Sequence, residues 1–231
     1  MPTARSIPCV VASLLLTVTC GAGCASDGGE QAKERAKAIT SMRETREQLV
    51  EAKQQINVVL QAMNQLALAA DPRPEGRRSA PPGVRPAYER FAKAVEETEE
   101  EAGKANRRAS EMRVRGREYV AEWEKEMDTI TNPDLRAGAA ERRQLVRENY
   151  NQIRDAARAA REAYNPFIRG LRDLRRALSM DITPEGVRAA QPAMDATRAD
   201  GENLQLRIDE LIAEIDRVRG DLSSRHPPPQ S

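Results

Sequence analysis

The sequence predicts an all-α fold, an elongated antiparallel helical bundle or coiled coil of about four long helices. Three observations predict it. Apolar residues recur at alternating spacings of three and four through most of the chain, which places them on one stripe of a helix. Charged residues make up 32% of the sequence and aromatic residues only 3%, with abundant Ala, Glu and Arg. That is a composition of long helices rather than of a mixed α/β domain. The breaks between the periodic stretches carry helix start signals, a capping residue followed by proline.

The chain begins with a stretch that the helical pattern excludes. Residues 1–23 carry a single charge, Arg5, and Val10 to Val18 form a short apolar core. That core is about half of what a bilayer crossing needs, so it reads as a cleavable signal peptide. All three cysteines, Cys9, Cys20 and Cys24, lie here. Gly21-Ala22-Gly23-Cys24 places small residues before a cysteine, as in a lipobox, although Gly21 stands where leucine is usual. Cys24 is therefore the expected lipidation site, with residues 24–30 as an anchor linker. Several acyl chains on one residue give stable attachment, since each buried methylene contributes about 0.8 kcal/mol. Two other readings stay open: cleavage after Ala22 or Ala25 to give a secreted soluble protein, or modification of Cys20. With Ala25 after the cysteine, the expected location is the outer membrane facing the periplasm.

The first helix is expected over about 31–70, with Ile39, Met42, Leu49, Ile56, Leu60, Met63 and Ala67 on its seam. Arg46 and Lys53 occupy two seam positions, where long stems can pack while the charged heads reach water. Val58, Val59, Leu66 and Leu68 widen the apolar arc in the second half. Such an arc must touch more than one neighbour, or another chain. Five prolines then mark residues 71–86 as a loop.

The second helix is expected over 87–131, about 65 Å long at 1.5 Å per residue. Its stripe runs through Tyr88, Phe91, Val95, Thr98, Ala102, Ala105, Ala109, Met112, Gly116, Tyr119 and Trp123. Asn132 caps the third helix and Pro133 opens it. That helix, 133–180, carries Leu135, Leu145, Asn149, Ile153, Ala156, Ala160, Ala163, Phe167, Leu171, Leu174 and Leu178, with Pro166 as an internal kink.

Thr183-Pro184-Glu185 starts the fourth helix, 184–222. Val187, Ala190, Met194, Thr197, Gly201, Leu204, Ile208, Leu211, Ile215, Val218 and Leu222 keep a strict seam, and Pro192 should kink it. Residues 223–231, with Pro227-Pro228-Pro229, read as a disordered tail. Short connections make consecutive helices antiparallel neighbours. Reflecting the second helix about Asn132 then pairs Tyr119 with Leu145 and Ala105 with Ala160. The start of the first helix, the Asn132 turn and the end of the fourth fall at one end.

Composition limits the chemistry. The whole chain has 37 basic and 36 acidic residues, and the leader holds only Arg5, so the processed chain carries no net side-chain charge. Nucleic-acid binding, which needs a basic surface, is not expected. His226, the only histidine, precedes the three prolines in the tail and is expected to be solvent-exposed and inert. No metal or other cofactor is called for, because inward Glu-x-x-His patterns are lacking. The acidic run Glu96, Glu97, Glu99, Glu100 and Glu101 reads as a solvated face. Arg107, Arg108, Arg113, Arg115 and Arg117 form a basic cluster, either paired with acids or free to contact an anionic lipid or glycan.

One stretch resembles a known family. Tyr119-Val120-Ala121-Glu122-Trp123-Glu124-Lys125-Glu126 and Ile130-Thr131-Asn132-Pro133-Asp134-Leu135-Arg136 look like the core of an uncharacterised bacterial family of predicted exported coiled-coil lipoproteins, a domain of unknown function. Tyr164-Asn165-Pro166-Phe167 and Leu171-Arg172-Asp173 are similar to its next helix. The resemblance covers roughly residues 30–220. It implies an all-helical fold and an envelope location, and it carries no catalytic residues.

The expected function is non-enzymatic: a membrane-anchored envelope lipoprotein acting as a helical scaffold or adaptor. Its partners would be the membrane, through the lipid, and an envelope protein or a second copy, through Val58, Val59, Leu66 and Leu68. The alternative is binding of anionic lipid or cell-wall glycan through the Arg107 to Arg117 face.

Overall fold

The computed structural model describes residues 27–71 and 83–224. Cys20, Cys24 and the rest of the leader, most of the proline-rich segment and the tail with His226 lie outside the described residues. Five helices follow in order: α1 (Asp27–Ala70), α2 (Val84–Thr129), α3 (Pro133–Met180), α4 (Pro184–Ala189) and α5 (Gln191–Ser224). No strand occurs among the described residues.

The start signals work as their chemistry requires. Asn132 accepts hydrogen bonds from the N–H groups of Asp134 (2.9 Å) and Leu135 (3.1 Å), with Pro133 at the first helical position. Thr183 Oγ1 accepts from Gly186 N–H at 3.0 Å. Each cap satisfies donors that the first turn leaves without helical partners.

Three boundaries differ from the sequence reading. α1 starts at Asp27 rather than near Gln31. α2 starts at Val84, because Pro86 falls in the first turn, where no backbone donor is needed; it also ends at Thr129. The last expected helix is two helices. The chain breaks at Ala190, whose N–H bonds back to Gly186 and Val187, and restarts at Gln191. Pro192 lacks the N–H that would continue α4, so it sits in the first turn of α5 instead of kinking one long rod. Pro166, by contrast, does not end α3, which continues to Met180.

The four long helices close into a ring. α1 packs on α2, α2 on α3, α3 on α5 and α5 on α1. Every neighbouring pair runs antiparallel. Along α1 and α5, Arg46 meets Asp216 (2.8 Å), Lys53 meets Asp209 and Gln205 donates to Asn57 (2.7 Å), one number rising as the other falls. Along α1 and α2, Thr45 Oγ1 donates to Arg108 O (3.1 Å) and Gln48 to Glu101 (2.8 Å). This is an up-down-up-down bundle, and at 1.5 Å per residue the 46 residues of α2 span about 70 Å.

One core runs the length of the bundle. Met42, Val59, Met63, Leu66, Phe91, Val95, Phe167, Leu171, Met194 and Ile215 are fully buried in it. Isolated helices gain little from propensity alone, so this shared burial, about 1.5–3 kcal/mol for each large apolar side chain, holds the helices together. The α5 seam residues from Met194 to Leu222 are all buried as expected.

The first turns of α3 depart from the expected stripe. Leu135 is 65% exposed and Leu145 40%, whereas Ala139 and Val146 point inward. Val146, Asn149 and Ile153 hold the three-four rhythm, and Leu145 lies one residue, about 100°, off that phase. Tyr119 therefore does not face Leu145. Observed pairs also lie further along α3 than reflection about Asn132 places them: Gly116 meets Tyr150 rather than Glu148, and Asn106 accepts from Arg161 rather than Arg158.

Candidate functional site

The expected contact residues divide. Val59 and Leu66 are fully buried and belong to the core, while Val58 is 45% exposed and Leu68 half-buried. The wide apolar arc of α1 is explained inside the chain, because α1 packs against both α2 and α5. A surface contact on this segment reduces to Val58 with the edge of Leu68.

The acidic cluster resolves by pairing, the basic one only in part. Glu96 meets Arg175 (3.3 Å) and Glu99 meets Arg172 on α3, Glu97 meets Lys93, and Glu100 and Glu101 share Lys104. No group of three His, Cys, Asp or Glu converges as a metal site among the described residues. All five arginines of the basic cluster are exposed. Arg108 reaches Glu44 of α1 and Glu111, and Arg115 reaches Glu118. Arg107, Arg113 and Arg117 make no ion pair among the described residues.

The five arginines do not form one face. Arg108 is turned toward α1. Arg113 and Arg117 share the opposite flank with Asn106 and Glu124 by helical spacing, and those two bond Arg161 and Arg143 of α3.

A cleft that the sequence does not announce opens at the end of the bundle holding the Asn132 turn. It has a volume of about 480 Å³ and is walled by α1, α2, α3 and α5. Met127, Ala139, Val146 and Leu222 supply an apolar floor, each 7% exposed or less. Tyr119 and Trp123 stand one turn apart on α2 with ring centroids 5.8 Å apart, tilted at 58°. Arg35 from α1, Glu126 from α2 and Arg142 from α3 also line it, and neither arginine makes an ion pair among the described residues. The i, i+4 aromatic pair was the one legible trace of this site.

A second groove, about 420 Å³, lies between α1 and α5 beside Ile39, Thr40 and Arg43. Its carboxylate, Asp216, is already held by Arg46 and by Arg219 at 3.0 Å. Its charges are therefore compensated internally.

The interior holds few groups able to titrate. The Tyr150 hydroxyl is buried without a hydrogen-bond partner, and burial pushes its ionisation well above the usual tyrosine range. Burial also raises that of Tyr164. On the surface, hydrogen bonds from Lys37 to Glu34, Lys104 to Glu101 and Lys125 to Glu122 hold those ammonium groups charged to higher pH. No helix among the described residues is long and apolar enough to cross a membrane.

Residues 31–221 match the model of a family described as a protein of unknown function, DUF2959. No curated protein and no solved structure matches the chain.

Proposed function

The chain belongs to the DUF2959 family of proteins of unknown function, and on that footing we propose a non-enzymatic envelope lipoprotein, held at a membrane through Cys24 and serving as a helical scaffold for a protein partner or a second copy. The observation that carries the reading is the position of α1. It begins at Asp27, three residues past Cys24 in the sequence, and leads directly into a bundle whose core is filled along its length. A lipid on Cys24 would thus hold one end of a long rod at the bilayer with hardly any linker between them.

Two further features support it. The core residues are close-packed apolar side chains, leaving the chemistry of the molecule on its surface. The apolar leader with small residues before Cys24 suits export and acylation. The outer membrane, facing the periplasm, is the location this reading favours.

Metabolic labelling with an alkyne fatty acid tests it. The wild-type chain should take up label and partition with membranes, and Cys24→Ser should lose both. Equal labelling of the two, or none in either, defeats the anchor. Crosslinking in intact envelopes then asks for a partner: Val58→Asp should reduce recovery of the crosslinked species while circular dichroism stays unchanged.

A further inference from the structure

We propose that two copies of this chain pair in parallel along the outer side of α1, between Gln54 and Leu68. This deepens the anchored-scaffold reading, on which it rests, by naming the second copy as the partner. Residues 54–70, seventeen positions between Lys53 and Asp71, carry no charge in a chain that is 32% charged. The next longest uncharged runs among the described residues, 163–168 and 189–194, have six.

The run bears two stripes on opposite sides of one helix. Ile56, Val59, Met63 and Leu66 are buried where α1 packs on α2 and α5. Gln54, Val58, Gln61, Gln65 and Leu68 recur at alternating spacings of four and three, the rhythm of a coiled-coil seam. At about 100° per residue their mean direction lies about 160° from the buried stripe. The first four are exposed and Leu68 is half-buried. Residues on either flank are held by the neighbouring helices: Gln55 donates to Ala94 O of α2 (3.2 Å), and Asn57 accepts from Gln205 of α5 (2.7 Å). The outer stripe therefore points away from both.

The lack of charge selects the occupant. A partner that set a charged group on this seam would lose that group's water and gain no counter-charge. The fitting surface is another uncharged helix stripe, and no other described segment has one of this length. A second copy supplies it. An amide both donates and accepts, so each glutamine can be satisfied by its own image. In parallel register Val58 meets Val58, Leu68 meets Leu68, and the glutamines meet each other, whereas an antiparallel pair centred on Gln61 would set Leu68 on Gln54. Polar residues inside such a seam fix its register. Two chains held in one membrane through Cys24 would also stand the same way up.

The test uses the full chain with Cys9, Cys20 and Cys24 changed to Ser, so that an introduced cysteine is the sole thiol. No lipid can then attach, and pairing is read apart from anchoring. Failed acyl labelling of the wild type alongside retained pairing removes the anchor alone. On mild oxidation Gln54→Cys should give a disulfide-linked dimer. An antiparallel pair centred on Gln61 would hold those two positions about 21 Å apart, beyond the disulfide reach of about 7 Å. Gln144→Cys, exposed on α3, should give none. Adding Val58→Lys should cut the Gln54→Cys dimer roughly tenfold, because parallel pairing sets two ammonium groups against each other. The thermal unfolding midpoint should not move, since Val58 is 45% exposed. Mixing that protein with its Val58→Glu counterpart should restore the dimer.

No dimer through position 54, an equal yield through position 144, no loss with Val58→Lys, or no recovery in the mixture overturns the inference. A dimer that forms only after residues 72–82 are replaced by a glycine–serine linker also overturns it, because that segment would then be the occupant.

Discussion

Gly116 of α2 and Tyr150 of α3 interlock so closely that a Cβ placed on the glycine would lie 2.4 Å from Tyr150 Cε1. Real Cβ atoms do not approach ring carbons at that distance, so the buried Tyr150 ring or one of the two helices must shift for any larger residue. The same device recurs in the α3–α5 seam, where Gly170 faces Thr197 and Gly201 receives the edge of Phe167. These three glycines set how near the helix axes come.

Gly116→Ala is expected to destabilise the fold. Overpacking costs about 1–3 kcal/mol, and the gain of about 1 kcal/mol in helix propensity offsets only part of it. Gly220→Ala should act in the opposite sense, because nothing lies within 4 Å of the added carbon. It should stabilise by roughly 0.5–1 kcal/mol. Urea midpoints of the two variants decide the matter, and equal signs would refute the close approach.

Tyr150→Phe should leave the fold intact or raise its stability by about 1 kcal/mol, since it deletes a buried hydroxyl that has no partner. The pH dependence follows from the same burial. In the folded chain the phenol keeps its proton above its usual value of about 10, while the unfolded chain releases it there. The folded state then binds more protons, so stability is full below pH 10 and declines as pH rises past it. Tyr150→Phe should flatten that alkaline decline in thermal melts recorded between about pH 8 and 11. An unchanged slope would assign the decline to other groups.

Leu66→Asp and Val58→Asp separate core from surface on α1. Leu66 is fully buried, and an unpaired carboxylate there should cost on the order of 4 kcal/mol. Val58 is nearly half exposed, and the same change should stay within about 0.5 kcal/mol. Thermal melts of both variants check this directly.

Arg46→Met should leave the thermal unfolding midpoint nearly unchanged, as expected of a solvent-exposed ion pair. Its pair with Asp216 is about a third exposed on each side, and the methionine stem keeps most of the packing. Raising the salt concentration should shrink any difference further, and a loss that survives about 1 M salt would refute the assignment to the exposed ion pair.

Much of this architecture was legible because it depends on local chemistry. The α5 stripe from Met194 to Leu222 names its own buried face, as a three-four rhythm can be satisfied only by one side of a helix. Asn132-Pro133 and Thr183-Pro184 announce helix starts through a cap and a residue that lacks a donor. Errors gathered where the local signal is weak. Leu135 and Leu145 looked like stripe residues, but Ala139 and Val146, smaller or adjacent, hold the inward phase. Pro192 read as a kink in one helix, whereas the chain breaks at Ala190 and restarts at Gln191.

The chain's own letters determined the helices, their order, their antiparallel connection and most of each buried face, because hydrogen bonding and period 3.6 act over a few residues. Tertiary structure alone decided that α5 closes the ring onto α1, that Val59 and Leu66 turn into the core, and that Gly116 receives Tyr150. It alone brought Arg35, Trp123, Arg142 and Leu222 around one cleft. Those outcomes depend on the register between helices, set by the simultaneous packing of side chains far apart in sequence.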